Sequence, residues 1–142
     1  MEVTQIFFNY VDQIWGPHDI DRFASYNNRK TVRYNSMFAD FGSEAIDCFT
    51  QSWSNCNNWL VPPIYLVTKA VKHLLYCRGV GRLVVPKWPS ASFWPFLFDK
   101  SGHKKGFILE ILELSLVKTF SDMRVIPGSV SLILCDSKVG SW

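Results

Sequence analysis

Residues 57–86, NNWLVPPIYLVTKAVKHLLYCRGVGRLVVP, contain the pattern that decides the fold. The run at residues 59–61 is apolar and leads directly into Pro62 and Pro63. Proline cannot donate to a sheet ladder, so a strand that leads into two prolines must end there. We therefore predict a short strand that stops at the edge or at the carboxyl end of a sheet.

The second half of the same stretch predicts a helix and a buried strand. Apolar side chains recur at helical spacing over residues 67–75, and Gly79 or Gly81 is the expected helix end. Residues 83–85 form a compact apolar run, which is typical of a strand buried on both faces. Strand, helix and strand in this order predict a parallel crossover in which the two strands are neighbours.

The flanking segments extend this pattern in both directions. Apolar side chains at helical spacing predict a helix over residues 3–14, and residues 18–24 alternate as a short strand does. Residues 25–41 predict a long loop with at most a short strand, and Ser43 is the expected cap of a helical turn. Three later elements are predicted: a short helix at residues 90–98 and strands at 107–112 and 131–135. The fold class predicted is three-layer α/β, with helices on both faces of a mostly parallel sheet.

The composition indicates one globular domain over residues 1–142. Hydrophobic residues make up 48% of the chain and charged residues 19%, which excludes disorder as its main state. The formal net charge of +3 permits weak attraction to an anionic partner but does not identify one. No apolar run of about eighteen residues occurs, so we expect no membrane span. Glu2 stands where a secretory signal would carry basic residues, so we expect an intracellular protein, in the nucleus or the cytoplasm.

Several short motifs carry a resemblance to known families. DRFAS at residues 21–25, DCFTQSW at 47–53 and VPP at 61–63 resemble the ordered motifs of phage Dam-like N6-adenine methyltransferases. A longer string is similar to the C-terminal domain of DIRS-type, tyrosine-recombinase retrotransposon polyproteins: WGPH at 15–18, NNWLVPP at 57–63, VVPKWPS at 84–90 and VIPG at 125–128. In those elements the domain follows the reverse transcriptase and RNase H regions. The resemblance implies a Rossmann-like methyltransferase fold, either as one whole domain or as a fragment of a longer retroelement polyprotein.

The resemblance also implies where a cofactor would lie and why methyl transfer is lost. By position, the vestigial cofactor site consists of Asp21, Phe23, Ala24, Pro62 and Pro63. Active relatives carry Asp, Asn or Ser before the two prolines and an aromatic residue after them, which hold the target amine and stack on the flipped base. This chain has Val61 and Ile64 there, and the turn FASY at residues 23–26 lacks glycine. We expect no catalytic residues and no cofactor, with S-adenosylmethionine bound only if activity is retained.

Two enzyme classes stay open as alternatives. The first is a divergent N6-adenine methyltransferase, in which a shift of the turn would bring Tyr65 into the stacking position. The second is an RNase H-like nuclease, which would use carboxylates to hold two metal ions. The available carboxylates are Asp19, Asp21, Glu44, Asp47 and Asp99. That nuclease fold begins with antiparallel hairpins, whereas this chain is predicted to begin with a helix, so we expect no metal site.

The loop after the first strand is the predicted nucleic-acid contact. It carries Arg29, Lys30 and Arg33, interleaved with Tyr26 and Tyr34. Such a mixture can contact phosphates and stack on bases, and a solvated loop is the alternative. We therefore predict weak, salt-sensitive binding of DNA or RNA.

Two further expectations concern unusual side chains. Arg22 stands where a strand would carry an aliphatic residue, and we expect it to pair with Asp47 or Glu44 beneath the loop. Trp88 and Trp94, each followed by proline, flank a segment that would serve as a groove for other domains of the polyprotein. A packing role for these tryptophans is the alternative.

Overall fold

The computed structural model describes residues 3–115 and 129–136. Within these residues the chain forms two α-helices, three short 3-10 helices and one sheet. In chain order the helices and strands are α1 (Gln5–Trp15), β1 (Ile20–Asp21), β2 (Arg33–Tyr34), β3 (Asn57–Leu60), α2 (Val67–Cys77), β4 (Val80–Pro86), β5 (Ile108–Ser115) and β6 (Ser129–Asp136). The 3-10 helices lie at Cys48–Thr50, Ile64–Leu66 and Trp94–Phe96.

The strands pair in the order β2-β1-β3-β4-β6-β5. β1 is parallel to β2 and to β3, and β3 is parallel to β4. β6 is antiparallel to both of its neighbours and is inserted between β4 and β5. The predicted α/β class with a mostly parallel sheet is therefore confirmed, and the two predicted late strands exist as an antiparallel pair.

The crossover predicted from residues 57–86 is confirmed. β3 and β4 pair in parallel with Leu60 opposite Leu83, and α2 connects them. Leu83, Val84 and Val85 are all buried, as a strand covered on both faces requires. Both strands begin earlier than predicted, because the ladder also takes in the polar Asn57 and the glycine-containing start of β4.

The predicted glycine end of α2 is wrong in detail. Arg78 takes the left-handed conformation at the helix end, with φ of 54°, and the Gly79 N–H donates to the carbonyl of Leu74. Gly79 has a different role, because a Cβ there would lie 2.7 Å from the carbonyl oxygen of Trp53. The glycine permits a close approach between the end of the helix and the segment before β3.

Helices cover both faces of the sheet. Trp59 and Val84 point to one face and belong to the same apolar cluster as Phe7, Phe8 and Val11 of α1. The alternate residues of β3 and β4 belong to a larger cluster with α2, whose members include Leu60, Leu83, Val85, Val67, Val71 and Leu74. The alternation of side chains along each strand thus places α1 and α2 on opposite sides. No helix in the described residues is long and apolar enough to cross a membrane.

Two other predicted elements differ from the structure. No helical turn starts at Ser43, because its hydroxyl donates to the carbonyl of Ala45, and Ala45 forms a parallel bridge with Asn35 beside β2. The helical turn starts later, where the Asp47 carboxylate accepts from the Phe49 N–H at 3.0 Å and caps Cys48–Thr50. The helix predicted over residues 90–98 is reduced to Trp94–Phe96, with a proline in its first turn.

Candidate functional site

A cleft of about 430 Å³ opens at the carboxyl ends of β1, β2 and β3. β2 lies on one side of β1 and β3 on the other, so the chain reverses its direction of winding there. In open parallel sheets this switch point is where ligands bind. The cleft is lined by Phe23, Ala24, Ser25, Asn28, Ser36, Met37, Phe38, Ala39, Asp40, Val61 and Pro63. We call the surface formed by residues 22–30, 35–41 and 61–63 the carboxyl rim.

The residues assigned to a vestigial cofactor site divide into two groups. Phe23, Ala24 and Pro63 line the cleft, so the structure brings these three together. Pro62 is buried behind the turn and is not part of the cleft lining. Asp21 is also buried and lies instead on a separate small cavity of about 20 Å³, beside Lys30 and Trp59.

The Asp21 carboxylate holds the loop that follows β1. It accepts hydrogen bonds from the backbone N–H groups of Lys30 at 3.1 Å and Phe23 at 3.4 Å. Burial raises the pKa of Asp21 to about 6, against the opposing effect of these two hydrogen bonds. The carboxylate therefore fixes the path of the rim from inside the protein.

Arg22 forms a buried polar network beneath the carboxyl rim. Its Nε donates to Asn58 Oδ1 at 2.8 Å, its Nη1 to Asn35 Oδ1 at 2.9 Å and its Nη2 to the Ser52 carbonyl at 3.2 Å. The expected pairing with Asp47 or Glu44 is wrong, because the acceptors are amide and carbonyl oxygens. Desolvation lowers the pKa of Arg22.

Asn58 anchors that network to the sheet. Its side-chain amide nitrogen donates to the carbonyls of Trp53, Cys56 and Val80, at 2.9, 3.1 and 2.8 Å. Asn58 has no exposed surface. One asparagine therefore ties β3 to β4 and also holds the guanidinium that supports the end of β1.

The proline turn after β3 offers a ligand no polar side chain. Val61 lines the cleft with an isopropyl group, which cannot accept a hydrogen bond from an amine. Ile64 packs against the core cluster on the α2 side of the sheet. Tyr65 is exposed but is not among the cleft-lining residues. The turn therefore presents neither the acceptor nor the ring that the resembling enzymes use.

The basic residues of the predicted nucleic-acid loop differ in their availability. The Arg33 guanidinium forms two hydrogen bonds with the Glu44 carboxylate, at 2.6 and 3.2 Å, which raises the pKa of Arg33. The Arg29 guanidinium lies over the Tyr26 ring, 4.1 Å from its centroid, and donates to the Tyr26 carbonyl. The Lys30 ammonium donates to the carbonyl of Asn28, which lines the cleft. Arg29 and Lys30 thus lie at the rim, where they can contact a phosphate. Arg33 is instead bonded to the Glu44 carboxylate.

The two tyrosines of that loop also differ. Tyr26 is 42% exposed, whereas Tyr34 is 1% exposed and donates its hydroxyl to the carbonyl of Phe41. Tyr34 therefore has no free ring face for a base, and Tyr26 has one face covered by Arg29. The prediction that Tyr34 stacks on a base is therefore not supported, because Tyr34 belongs to β2 and its side chain points into the protein, and a two-residue strand has no sequence period that would indicate this.

The loop after β2 contributes cleft residues that the sequence analysis missed. Met37, Phe38 and Asp40 line the cleft, and Phe41 packs edge-on against Tyr26 with ring centroids 5.4 Å apart. Their signal was present as MFADF at residues 37–41, an apolar cluster inside an otherwise polar loop. Apolar residues in a loop are a sign of either packing or binding, and sequence alone does not separate the two.

The carboxylates proposed for a metal nuclease have separate local partners. Asp19 accepts from the Asn57 N–H at 2.6 Å, and Asp99 accepts from the N–H groups of Ser101 and His103, both at 2.9 Å. The Asp21 carboxylate holds the loop after β1, Glu44 bonds to Arg33, and Asp47 caps the 3-10 helix at Cys48–Thr50. In residues 3–115 and 129–136, no three His, Cys, Asp or Glu side chains are placed to hold a metal ion.

The tryptophan segment after β4 is mostly packed. Trp94 stacks on Phe98 with ring centroids 4.3 Å apart, and Phe93 is buried. Trp88 is 37% exposed. The segment therefore offers a partner two partly exposed rings, Trp88 and Phe96, in contrast to the more exposed rings of Phe38 and Phe41 in the rim.

No protein-family model matches this sequence, and no curated protein matches it.

Proposed function

We propose that this chain is a non-catalytic module of the Rossmann-like methyltransferase type, derived from a DIRS-type retroelement polyprotein, that binds nucleic acid at its carboxyl rim. The parallel strands β1 to β4, with α1 and α2 on opposite faces of the sheet, support the α/β class to which that type belongs. The motifs that resemble the retroelement domain include NNWLVPP and VVPKWPS, which form or flank β3 and β4.

The observation that carries the proposal is the lining of the cleft. The switch point is open and contains polar groups from Ser25, Asn28, Ser36 and Asp40, so it can accept a ligand. Its β3 side, where methyl transfer would need an acceptor, carries Val61 instead. The site is therefore suited to binding and lacks the group that would orient a target amine.

The charges at the rim favour an anionic partner of low affinity. Arg29 and Lys30 lie beside the cleft, and within the described residues neither charged group is within 4 Å of a carboxylate oxygen. Two cations can contact only a few phosphates, so we expect a modest affinity that falls with salt along a shallow slope, roughly 0.7 to 0.9 logarithmic units per contact. Weak binding is sufficient for a module that is tethered to other domains of one polyprotein, because tethering raises the effective concentration.

Calorimetric titration tests the proposal directly. We expect no heat of binding with S-adenosylmethionine, and salt-dependent binding of DNA or RNA oligonucleotides at low ionic strength. Arg29→Glu with Lys30→Glu should abolish nucleic-acid binding, whereas Lys100→Glu with Lys105→Glu, at an exposed turn away from the cleft, should reduce it only slightly. Loss of binding in both double variants to the same extent would mean that net charge alone is responsible.

Two other results would overturn the proposal in favour of a named alternative. Transfer of a tritiated methyl group from S-adenosylmethionine to adenine by the unmodified chain would establish a divergent methyltransferase. Absence of any nucleic-acid binding, combined with binding to another domain of the polyprotein, would establish a protein-interaction module.

A further inference from the structure

The loop that follows β2 holds large apolar side chains in solvent. Phe38 is 80% exposed, Phe41 is 77% exposed and Met37 is 44% exposed. All three lie within five consecutive residues of the chain. Keeping an aromatic ring in water forgoes the free energy that burial of its apolar surface would contribute. A loop that was free to rearrange would be expected to bury at least one of these rings. Specific bonds must therefore hold the loop in this conformation.

The loop backbone is fixed by side-chain hydrogen bonds. The Ser36 hydroxyl donates to the Phe38 carbonyl at 2.6 Å, and the buried Tyr34 hydroxyl donates to the Phe41 carbonyl. The Asp40 carboxylate accepts from the N–H groups of Tyr26 at 2.6 Å and Phe41 at 2.9 Å. The bond between Tyr26 and Asp40 joins the loop after β2 to the loop after β1, and the other three hold the loop after β2 to itself and to β2. The exposed rings are therefore presented on a fixed backbone, which is the arrangement of a binding surface prepared in advance.

The exposed rings adjoin the two cations of the rim. Phe41 contacts Tyr26, Tyr26 lies under the Arg29 guanidinium, and Lys30 follows directly in the chain. Phe38 lies on the cleft itself. The Asp40 carboxylate, which is next to Phe41 in the chain, accepts from the backbone N–H groups of Tyr26 and Phe41. The surface therefore combines free aromatic faces with positive charge at its edge.

We infer that Phe38, supported by Phe41, is a stacking platform that makes the rim prefer single-stranded over double-stranded nucleic acid. Unpaired bases expose their faces and can stack on aromatic side chains, whereas the bases of a duplex are already stacked on each other. Arg29 and Lys30 contact the phosphates on either side of the stacked base. This inference rests on the proposed nucleic-acid function, and it assigns the stacking role to residues 38 and 41 in place of Tyr26 and Tyr34.

The test compares a fluorescently labelled oligo-dT strand with a hairpin duplex of similar length by anisotropy at low salt. Phe38→Ala should weaken binding of the single strand by roughly 5- to 150-fold, because one base–aromatic stack contributes about 1–3 kcal/mol. The same change should leave binding of the duplex within about twofold. Phe38→Trp should retain binding, and its indole fluorescence should be quenched when the strand binds. Tyr76→Ala removes an equally exposed ring from α2 and is the matched control.

Each outcome has a distinct meaning. If neither nucleic acid binds the unmodified chain, the proposed function fails, and this inference fails with it. If both bind equally and Phe38→Ala has no effect, while Arg29→Glu with Lys30→Glu abolishes binding, the proposed function stands and the stacking platform is refuted. If Phe38→Ala instead converts a dimer into a monomer in size-exclusion chromatography, the rings cover a second copy of the chain, and the inference is also refuted. Matching thermal unfolding curves for Phe38→Ala and the parent exclude a folding defect.

Discussion

The β3–α2–β4 crossover and the carboxyl rim hold their buried side chains in different ways. In the crossover, the buried groups are almost all apolar, as in Leu60, Leu83 and Val85, and they pack into one continuous cluster with α2. In the rim, the groups at the end of β1 are an ionisable carboxyl and a guanidinium, Asp21 and Arg22, and both are nearly inaccessible to solvent. The crossover is stabilised by removal of apolar area from water, whereas the rim depends on hydrogen bonds that compensate for desolvation.

This difference determines what each region can do. An apolar core tolerates few alternatives in packing but needs no specific partner for each atom. A buried polar network requires every partner to be present, and it fixes the loops to which it is bonded. The crossover therefore supplies stability, and the polar network beneath the rim supplies a defined arrangement of loops on which a binding surface can be built.

Truncation in the crossover should have the largest effect on stability. Leu83→Ala removes a buried side chain from the centre of β4, where both faces are covered, and should lower the free energy of unfolding by about 2–5 kcal/mol. Urea denaturation followed by tryptophan fluorescence measures the change. Tyr65→Ala, which alters an exposed side chain, should change the free energy by about 0.5 kcal/mol or less. Equal losses in the two variants would mean that β4 is not the core of the domain.

The pH dependence of stability should report on Asp21. Its pKa in the folded protein is about 6, above the usual 3.8, so between these values the folded state binds more protons than the unfolded state. The free energy of unfolding should therefore fall as the pH rises from about 4 to 6. Above pH 6 the ionised carboxylate should lower it by about 3 kcal/mol in total. Asp21→Asn cannot titrate, so its stability relative to the parent should improve by a similar amount as the pH rises. Paired urea titrations at pH 4.5 and 7.5 measure this, with Glu110→Gln as an exposed control. If the difference in free energy of unfolding between Asp21→Asn and the parent is the same at both pH values, Asp21 is ionised in the folded protein throughout this range.

The sequence predicted the crossover well because its apolar pattern is both local and periodic. Residues 67–75 can be assigned to a helix, and 83–85 to a buried strand, without knowledge of any distant partner. The rim is different, since Arg22 takes acceptors from residues 35, 52 and 58, which are far apart in the chain. Charge complementarity suggested Asp47 or Glu44, but amide oxygens proved to be the partners. The position of the cleft followed from the predicted strand order. The exposure of Phe38 depends instead on side-chain hydrogen bonds within a loop, and the periodicity of apolar residues in the sequence does not indicate such bonds.

Breaking the Arg22 network should have an intermediate effect. Arg22→Met keeps much of the side-chain volume but leaves the buried oxygens of Asn35 and Asn58 without their donor, at an expected loss of about 1–3 kcal/mol. Arg22→Met combined with Asn35→Leu removes one donor–acceptor pair completely and should recover part of that loss. A double-mutant cycle in urea measures the coupling. Strict additivity of the two single variants would mean that this hydrogen bond makes no net contribution to the rim.

The smallest effect should come from the solvent-exposed ion pair between Arg33 and Glu44, which lies beside the rim. Arg33 and Glu44 bond in a two-point arrangement, but their side chains are about half exposed, so water and salt compete for both charges. Arg33→Gln and Glu44→Gln should each cost about 0.2–1 kcal/mol at low salt, and the coupling between them should vanish near 1 M salt, where the screening length is about 3 Å. Because Glu44 already neutralises Arg33, Arg33→Gln should also leave nucleic-acid affinity within about twofold, unlike Arg29→Glu with Lys30→Glu. A large loss of binding in Arg33→Gln, with stability unchanged, would mean that the guanidinium leaves Glu44 for a phosphate and that the rim is less fixed than its buried network requires.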